Sequence, residues 1–278
     1  MKRVLVVIAL CAVALLATAC GERGEPTGAS VRLYPVTVDG ATGPPTTLER
    51  APRRILAAGR QMAETLAALG VETQVVQLQR TGGEIGGAAD QLVLAWASSP
   101  EADDLDRRTQ GLPVYIAADG TIDEVERSLD DIGVLVGEPL SGRQAAAAIE
   151  RRVTRVRDAV SRQRLVTVFL DRGFRTTYST RSLQGDMLRA AGGYSVAGAS
   201  LEQLDSKTLL RLNPRVYLAT SDSGTTLKSL EDDRTLKRLP AVKSHQFGIV
   251  PAQTLEPGPR IGEGVAAIAR RLHPDAFR

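Results

Sequence analysis

Of the side chains that most often carry chemistry, the chain is sparing: two histidines, two cysteines, one tryptophan and 4% aromatic residues in 278. Both cysteines, Cys11 and Cys20, fall in the first twenty positions, so no disulfide can staple the body and its stability must come from a buried apolar core. Only His245, beside a late strand, and His273, in the terminal helix, are present, which argues against a site for a bare metal ion; each reads as a surface or packing histidine. GxSxG and HExxH are missing, and no cysteine-based site survives in the body, so the common hydrolase and zinc-peptidase readings fail. Lys plus Arg (35) nearly balances Asp plus Glu (32), which excludes a basic nucleic-acid surface. Beyond the first twenty residues, no apolar run approaches the length needed to cross a bilayer.

What is present begins with a leader. Met1-Lys2-Arg3 is positive, Val4 to Ala17 is apolar, and Ala17-Thr18-Ala19-Cys20 follows, a pattern similar to a bacterial lipoprotein lipobox. That similarity implies cleavage after residue 19 and lipid attachment to Cys20; an ordinary secretory signal with an incidental cysteine is the plainer alternative. Residues 20–30 then form a tether, and loss of Lys2 and Arg3 with the leader removes most of the basic excess.

The longest helical pattern, Ser141 to Arg164, sits mid-chain. Ala145, Ile149, Val153, Val156 and Val160 form one apolar stripe, and Ser141 can cap it. At about 1.5 Å per residue it would run roughly 35 Å. It reads as a connector between two lobes, although the stripe alone also allows a surface helix packed on one domain. Before it, Val31–Val38 and Leu48 bracket a hairpin. Strands are expected at Arg54–Ala57, Gln74–Leu78, Gln91–Ala95 and Pro113–Ala117, with helices on Met62/Leu66/Leu69, over Glu101–Gln110, and from Thr121 to Val136 behind a Thr121/Glu124 capping box. After it, strands at Val166–Leu170, Arg215–Ala219 and Gln246–Val250 alternate with helices at Arg181–Ala191, Glu202–Leu212, Thr226–Arg238 and Ile261–Leu272.

Pro52-Arg53-Arg54-Ile55, Leu66 to Gly70, SLQGDMLRAAGG from Ser182, LLRLNPRVYLAT from Leu209 and PAVKSHQFGIV from Pro240 resemble the substrate-binding proteins of iron-siderophore, haem and cobalamin ABC importers, over about the whole chain after the leader. The resemblance implies an α/β fold of two Rossmann-like lobes with parallel central sheets joined by one long α-helix. The expected organisation is a signal peptide (1–19), tether (20–30), N-terminal lobe (31–140), inter-lobe helix (141–164) and C-terminal lobe (165–278). Arg80 to Ala89 departs from the family, with a Gly-rich loop where a helix is usual, so the first lobe is trimmed. The family docks on its permease through one acidic residue per lobe; Asp186 matches the second-lobe position, and Glu84 is the nearest first-lobe candidate.

In open α/β sheets, ligands collect at the carboxyl ends of strands. There the sequence places Arg60, Gln61, Arg80, Thr81, Trp96 and Asp119 in the first lobe. The second offers Asp171, Arg172, Phe174, Arg175, Tyr178, Ser221, Asp222, Thr254, Glu256 and Arg260. The set is richer in arginine than in acid, which suits carboxylate, catecholate or propionate oxygens, while Trp96, Phe174 and Tyr178 offer stacking surfaces. No cofactor and no resident metal are expected, nor catalysis. The expected role is capture of a ferric siderophore or related iron complex by a lipid-anchored protein and its delivery to an ABC permease with its ATPase. Haem, cobalamin, or an envelope interaction protein that has lost transport are the alternatives.

Overall fold

A computed structural model of the chain describes residues 33–71, 75–78, 91–109, 111–199 and 203–278. The leader, the tether with Cys20, and the expected site residues Arg80 and Glu84 lie outside them. Two four-stranded parallel sheets organise the rest. The first holds β3 (Arg54–Ala58), β4 (Val75–Leu78), β5 (Gln91–Trp96) and β6 (Val114–Ala117) in the order β4-β3-β5-β6. The second holds β7 (Val166–Asp171), β8 (Gly193–Ser195), β9 (Val216–Thr220) and β10 (Phe247–Val250) in the order β10-β9-β7-β8. Strand β8 has no counterpart in the sequence reading, where Gly192-Gly193 only closed a helix.

The expected hairpin is present as β1 (Val36–Val38) and β2 (Thr46–Leu48), paired antiparallel. It covers the outer edge of β6: Thr46 Oγ1 donates to the Val114 carbonyl at 2.6 Å, and the Ala41 N–H donates to that of Ile116 at 2.7 Å. An edge strand whose polar groups are occupied cannot recruit another chain.

Helix α1 (Arg60–Ala68) follows β3. The polar stretch after β5 makes only one turn of 3₁₀ helix and the short α2 (Leu105–Arg108), less than the expected span to Gln110. Helix α3 (Ile122–Val136) starts as predicted: Thr121 Oγ1 accepts from the Glu124 N–H at 3.1 Å. Gly137, in the left-handed region at φ 86°, ends it and turns the chain into α4 (Pro139–Val160). The long helix therefore begins at Pro139 rather than behind a Ser141 cap, because proline's preset φ and missing N–H suit a helix's first turn. It also stops at Val160, short of Arg164. Its buried face is Gly142, Ala146, Ile149, Val153, Val156 and Val160; Ala145 is only a partly buried shoulder of that stripe.

In the second half, α5 (Leu183–Ala190) is capped by Ser182 and α6 (Ser206–Leu212) by Asp205. The expected helix from Thr226 to Arg238 is interrupted. It forms α7 (Leu227–Asp232), a separate 3₁₀ turn at Leu236–Arg238, and then α8 (Pro240–Lys243). Asp233 explains the break, since its Oδ1 accepts from the N–H groups of Thr235 and Leu236 and so ends one helix by starting another turn. The last helix, α9 (Ile261–Leu272), has the predicted bounds.

Helix α4 packs along α3 on one side and α9 on the other. Gly133 and Gly142 face each other at the α3–α4 crossing: a Cβ built on Gly142 would lie 2.6 Å from the Leu129 carbonyl oxygen and 3.0 Å from the Gly133 Cα. One hydrophobic cluster then runs without a break from Ile55, Leu92 and Leu94 of the first sheet through Ile149 and Val153 of α4 to Val168, Leu170 and Leu218 of the second. Smaller clusters fill the outer faces, around Phe169 and Tyr217 in the second sheet and around Leu56 and Val93 in the first.

Gly142→Ala should lower stability by about 1–3 kcal/mol in chemical denaturation, because the new methyl meets backbone. The same change at an open helical site would raise stability by about 1 kcal/mol. A second expectation concerns Glu126 on α3, whose carboxyl is raised to about 7, chiefly by burial and then by Asp123 and Glu150, against the pull of Arg157. The folded chain thus holds this proton above the ordinary glutamate range, and its contribution to stability is lost as pH rises towards that value. Glu126→Gln should match the parent in acid and exceed it in stability above the raised value, as read by thermal melts across pH.

Candidate ligand cleft

The carboxyl ends of the two sheets face each other, and two hydrogen bonds between lobes establish this. Gln61, on the first turn after β3, donates Nε2 to Glu256 Oε2 at 3.2 Å, beyond β10 in the other lobe. The N–H of Ile122, where α3 leaves β6, donates to Asp186 Oδ2 at 3.0 Å, on the helix after β7. Beside the first contact, the loop from Gln253 to Arg260 lies against α1 so closely that a Cβ on Gly258 would stand 3.0 Å from Thr65 Oγ1. Among the described residues, a cavity of about 60 Å³ lies along that seam, room for a few waters.

The first-lobe rim is built by the turns that end β3, β5 and β6. Gly59, at φ 84°, lets the chain turn from β3 into α1 with its Cα facing Ser99 Oγ and Glu101 Oε2. Ser99 donates to Glu101, and Ser98 gives both its N–H (3.1 Å) and its hydroxyl (2.6 Å) to Asp119 Oδ2. Asp119 is buried, and that burial raises its carboxyl pKa against the two Ser98 bonds. Ser98, Ser99 and Glu101 were missed by the sequence reading because β5 runs one residue beyond Ala95: Trp96 is its last strand residue, so the rim starts after it.

That extension corrects the expectation for Trp96. Its side chain is 1% exposed, a member of the central cluster with its indole nitrogen unpartnered, and it presents no stacking face. Arg60 is on the surface, paired with Glu64 on its own helix.

In the second lobe the turn after β7 is the most constrained piece of backbone in the cleft. Gly173, Phe174 and Arg175 all have positive φ, at 116°, 53° and 58°. Left-handed backbone at two successive residues with side chains costs roughly 1–3 kcal/mol each and persists only when the surroundings over-determine it. Here they do. Asp171, 1% exposed, accepts from the Gly173 N–H (2.8 Å), the Tyr217 hydroxyl (2.7 Å) and Thr225 Oγ1 (2.8 Å). The Arg172 N–H bonds the Thr176 carbonyl at 2.9 Å, and Gln203 Nε2 donates to the Phe174 carbonyl at 3.3 Å.

The turn holds Phe174 out to solvent, 87% exposed. It also brings the Arg172 guanidinium over the Tyr178 ring at 5.3 Å, a cation–π pair. Burial, then the neighbouring Glu256 carboxylate, push the Tyr178 phenol up to about 12, with Arg172 opposing and Asp222 adding to the rise. Arg175 turns the other way. Its Nε donates to the Leu204 carbonyl at 3.2 Å and its side chain lines an open recess with Lys207 and Arg211, apart from Arg172. Ser221 is engaged with its own lobe, its Oγ accepting from the Ala252 N–H at 3.0 Å, and Arg260 pairs with Glu263 at the seam.

Of the sequence-derived set, the structure therefore gathers Gln61, Arg172, Tyr178 and Glu256, with Phe174 at the lip. The arginine excess expected from sequence is not what the cleft presents: Glu64, Glu101, Asp119 and Glu256 stand among those arginines. Among the described residues no cluster of His, Cys, Asp or Glu could hold a metal ion, and no helix is long and apolar enough to cross a membrane. His245 is exposed beside Glu231, while His273 is buried with Nε2 3.1 Å from the Gly192 carbonyl oxygen.

Residues 90–254, more than half of the chain, match the model of the periplasmic binding protein family. The chain belongs to that family. A curated relative, the uncharacterised ABC transporter substrate-binding lipoprotein YvrC of Bacillus subtilis, is 23% identical, with 100% of this chain and 99% of the relative covered. Among solved structures, Helicobacter pylori CeuE with Ni(II) bound superposes with a TM-score of 0.71 at 16% identity, over 87% of this chain and 90% of that one. The haem-binding protein RhuT of Roseiflexus sp. RS-1 gives 0.67 at 21% identity, over 81% and 100%. The molybdate-bound MolA of Haemophilus influenzae gives 0.71 at 15%, over 87% and 92%. As a periplasmic binding protein it has a binding role rather than an enzymatic one.

The Asp171 network predicts a large, local effect. Asp171→Ala leaves two buried donors, the Gly173 N–H and the Tyr217 hydroxyl, without an acceptor and should lower stability by about 2 kcal/mol or more, at roughly 1–3 kcal/mol per unsatisfied group. Tyr217→Phe, which removes one donor, should cost about 1 kcal/mol. Denaturation curves and amide exchange of residues 172–176 would read both.

Proposed function

We propose that this protein captures a ferric siderophore, a small organic iron complex, between its lobes and passes it to an ABC permease with its ATPase. The observation that carries the reading is the strained, over-determined turn at Gly173–Arg175, which spends backbone energy to hold an aromatic side chain in water at the lip of the cleft. Strain of that kind is kept where a ligand repays it. Solved structures of this fold hold nickel and molybdate, and another is a haem-binding protein in its apo form, so the fold does not select the ligand and the cleft residues must.

Those residues support an organic shell over a bare ion. Phe174 and the Arg172–Tyr178 pair offer flat surface, and Gln61, Ser98 and Ser99 offer hydrogen bonds. The carboxylates of Glu101 and Glu256 disfavour a complex with high negative charge, which favours a ferric hydroxamate over a ferric tricatecholate. Haem and cobalamin share the flat, organic character and remain the second reading. Cys20 is proposed as the lipidated residue, with Asp186 and Glu84 as the acidic residues that meet the permease.

Native mass spectrometry of the chain with a ferric trihydroxamate, a ferric tricatecholate, haem and cobalamin tests this directly. The trihydroxamate should bind with a dissociation constant at least tenfold below that of the tricatecholate, and Phe174→Gly should weaken it. The same substitution should raise stability by about 1 kcal/mol, since glycine accepts positive φ without strain. Binding of none of the four would favour an envelope protein that keeps the fold without transport.

A further inference from the structure

Of the two inter-lobe bonds described above, the one at Asp186 joins a side chain to a helix terminus. Helix α3 begins at Ile122, and its first amides have no partner inside the helix. Thr121 supplies an acceptor for the Glu124 N–H, while the Ile122 N–H finds its acceptor in the other lobe, in Asp186 Oδ2 at 3.0 Å. The second carboxylate oxygen is fixed as well: Asp186 Oδ1 accepts from Arg189 Nη2 at 3.0 Å, and Arg189 Nη1 in turn donates to the Thr180 carbonyl at 2.7 Å. Asp186 lies in the first turn of its own helix, α5. Its charge therefore sits at the positive ends of two helices at once, one from each lobe, and its side chain is 20% exposed.

We infer that Asp186 is an inter-lobe positioning residue: it caps the first-lobe helix α3 from the second lobe, and so fixes the β6–α3 turn that carries Asp119 to the cleft. The requirement is an oriented acceptor. A negative charge alone would not meet it, because the bond is made to a single N–H along a direction set by Arg189. Gln61–Glu256 braces the opposite wall at the seam beside α1, and the spine α4 runs between. Two braces and one rod leave the lobes little freedom to swing. The inference needs neither the ligand nor the permease to be known, and it assigns Asp186 a task inside the folded chain whether or not that residue also meets a partner.

Hydrogen–deuterium exchange of the full chain, without ligand, separates this role from a general loss of stability. Asp186→Ala should speed exchange of the Ile122 amide at least tenfold, with faster exchange across residues 118–125 and unchanged rates in the middle of α4. Asp186→Asn, which keeps an acceptor oxygen and removes the charge, should restore protection to within about threefold of the parent, as asparagine caps helices about as well as aspartate. Unchanged exchange in Asp186→Ala would overturn the inference, and so would an asparagine variant as unprotected as the alanine one. Should Asp186→Ala fail to fold, Arg189→Ala carries the test: it leaves the carboxylate but frees its orientation, and a rise of severalfold at Ile122 is expected where no rise would refute. Because the readout involves no ligand, its failure would leave the transport reading standing.

Discussion

The close approach of α3 to α4 is the contact on which the remaining geometry rests. Two glycines, Gly133 and Gly142, let backbone meet backbone where any side chain would hold the helices apart. That contact makes the helix pair a single stiff element, and the central hydrophobic cluster then threads both sheets onto it. With the spine set, the strand ends of the two lobes must face each other at a near-fixed separation. Interiors packed at such density do not deform gradually, so a change in lobe angle would require breaking specific contacts. Among the described residues, the contacts that span the lobes include Asp186 to Ile122, Gln61 to Glu256, and the Gly258 loop against Thr65.

Charge in the cleft follows a similar economy. Nearly every arginine that sequence position suggested is already committed: Arg60 to Glu64, Arg260 to Glu263, Arg175 to a backbone carbonyl, and Arg172 to the Tyr178 ring. A list of residues at strand ends counts their charges as though each faced the ligand. Once folded, most of those charges face one another, and the surface left for a ligand is a mixture of hydroxyl, amide, carboxylate and aromatic groups. The strain at Phe174 stands out because nothing in the packing of the lobe calls for that ring in solvent.

How far the sequence could be read depended on the kind of signal. The period of Ile149, Val153, Val156 and Val160 is a property of one helix, so the spine was visible, and strand–helix alternation on each side disclosed the two sheets. Its ends were less legible, since Pro139 and Ser141 both make acceptable starts and only the Gly137 turn decides between them. Strand β8 is three residues long and contains a glycine, below what period-2 alternation can register. Trp96 was misplaced by a single residue of strand length, enough to move a ring from the cleft to the core. The partner of Asp186 was beyond reach in a different way: an acceptor and a helix N-terminus 64 residues apart become neighbours only when the lobes assemble.

The central claim is a near-fixed angle between the lobes, held by a rigid spine and the Asp186 and Gln61 contacts, so that room for a ligand is made by side chains and loops at the lip and not by rotation of the lobes. Small-angle scattering of the protein with and without a saturating ferric trihydroxamate tests it most directly. The account predicts superimposable curves and an unchanged radius of gyration, as expected when the backbone of the two lobes moves little on binding. A clear compaction on binding would contradict it, because the lobes would then have to turn about α4 and break the contacts that fix them.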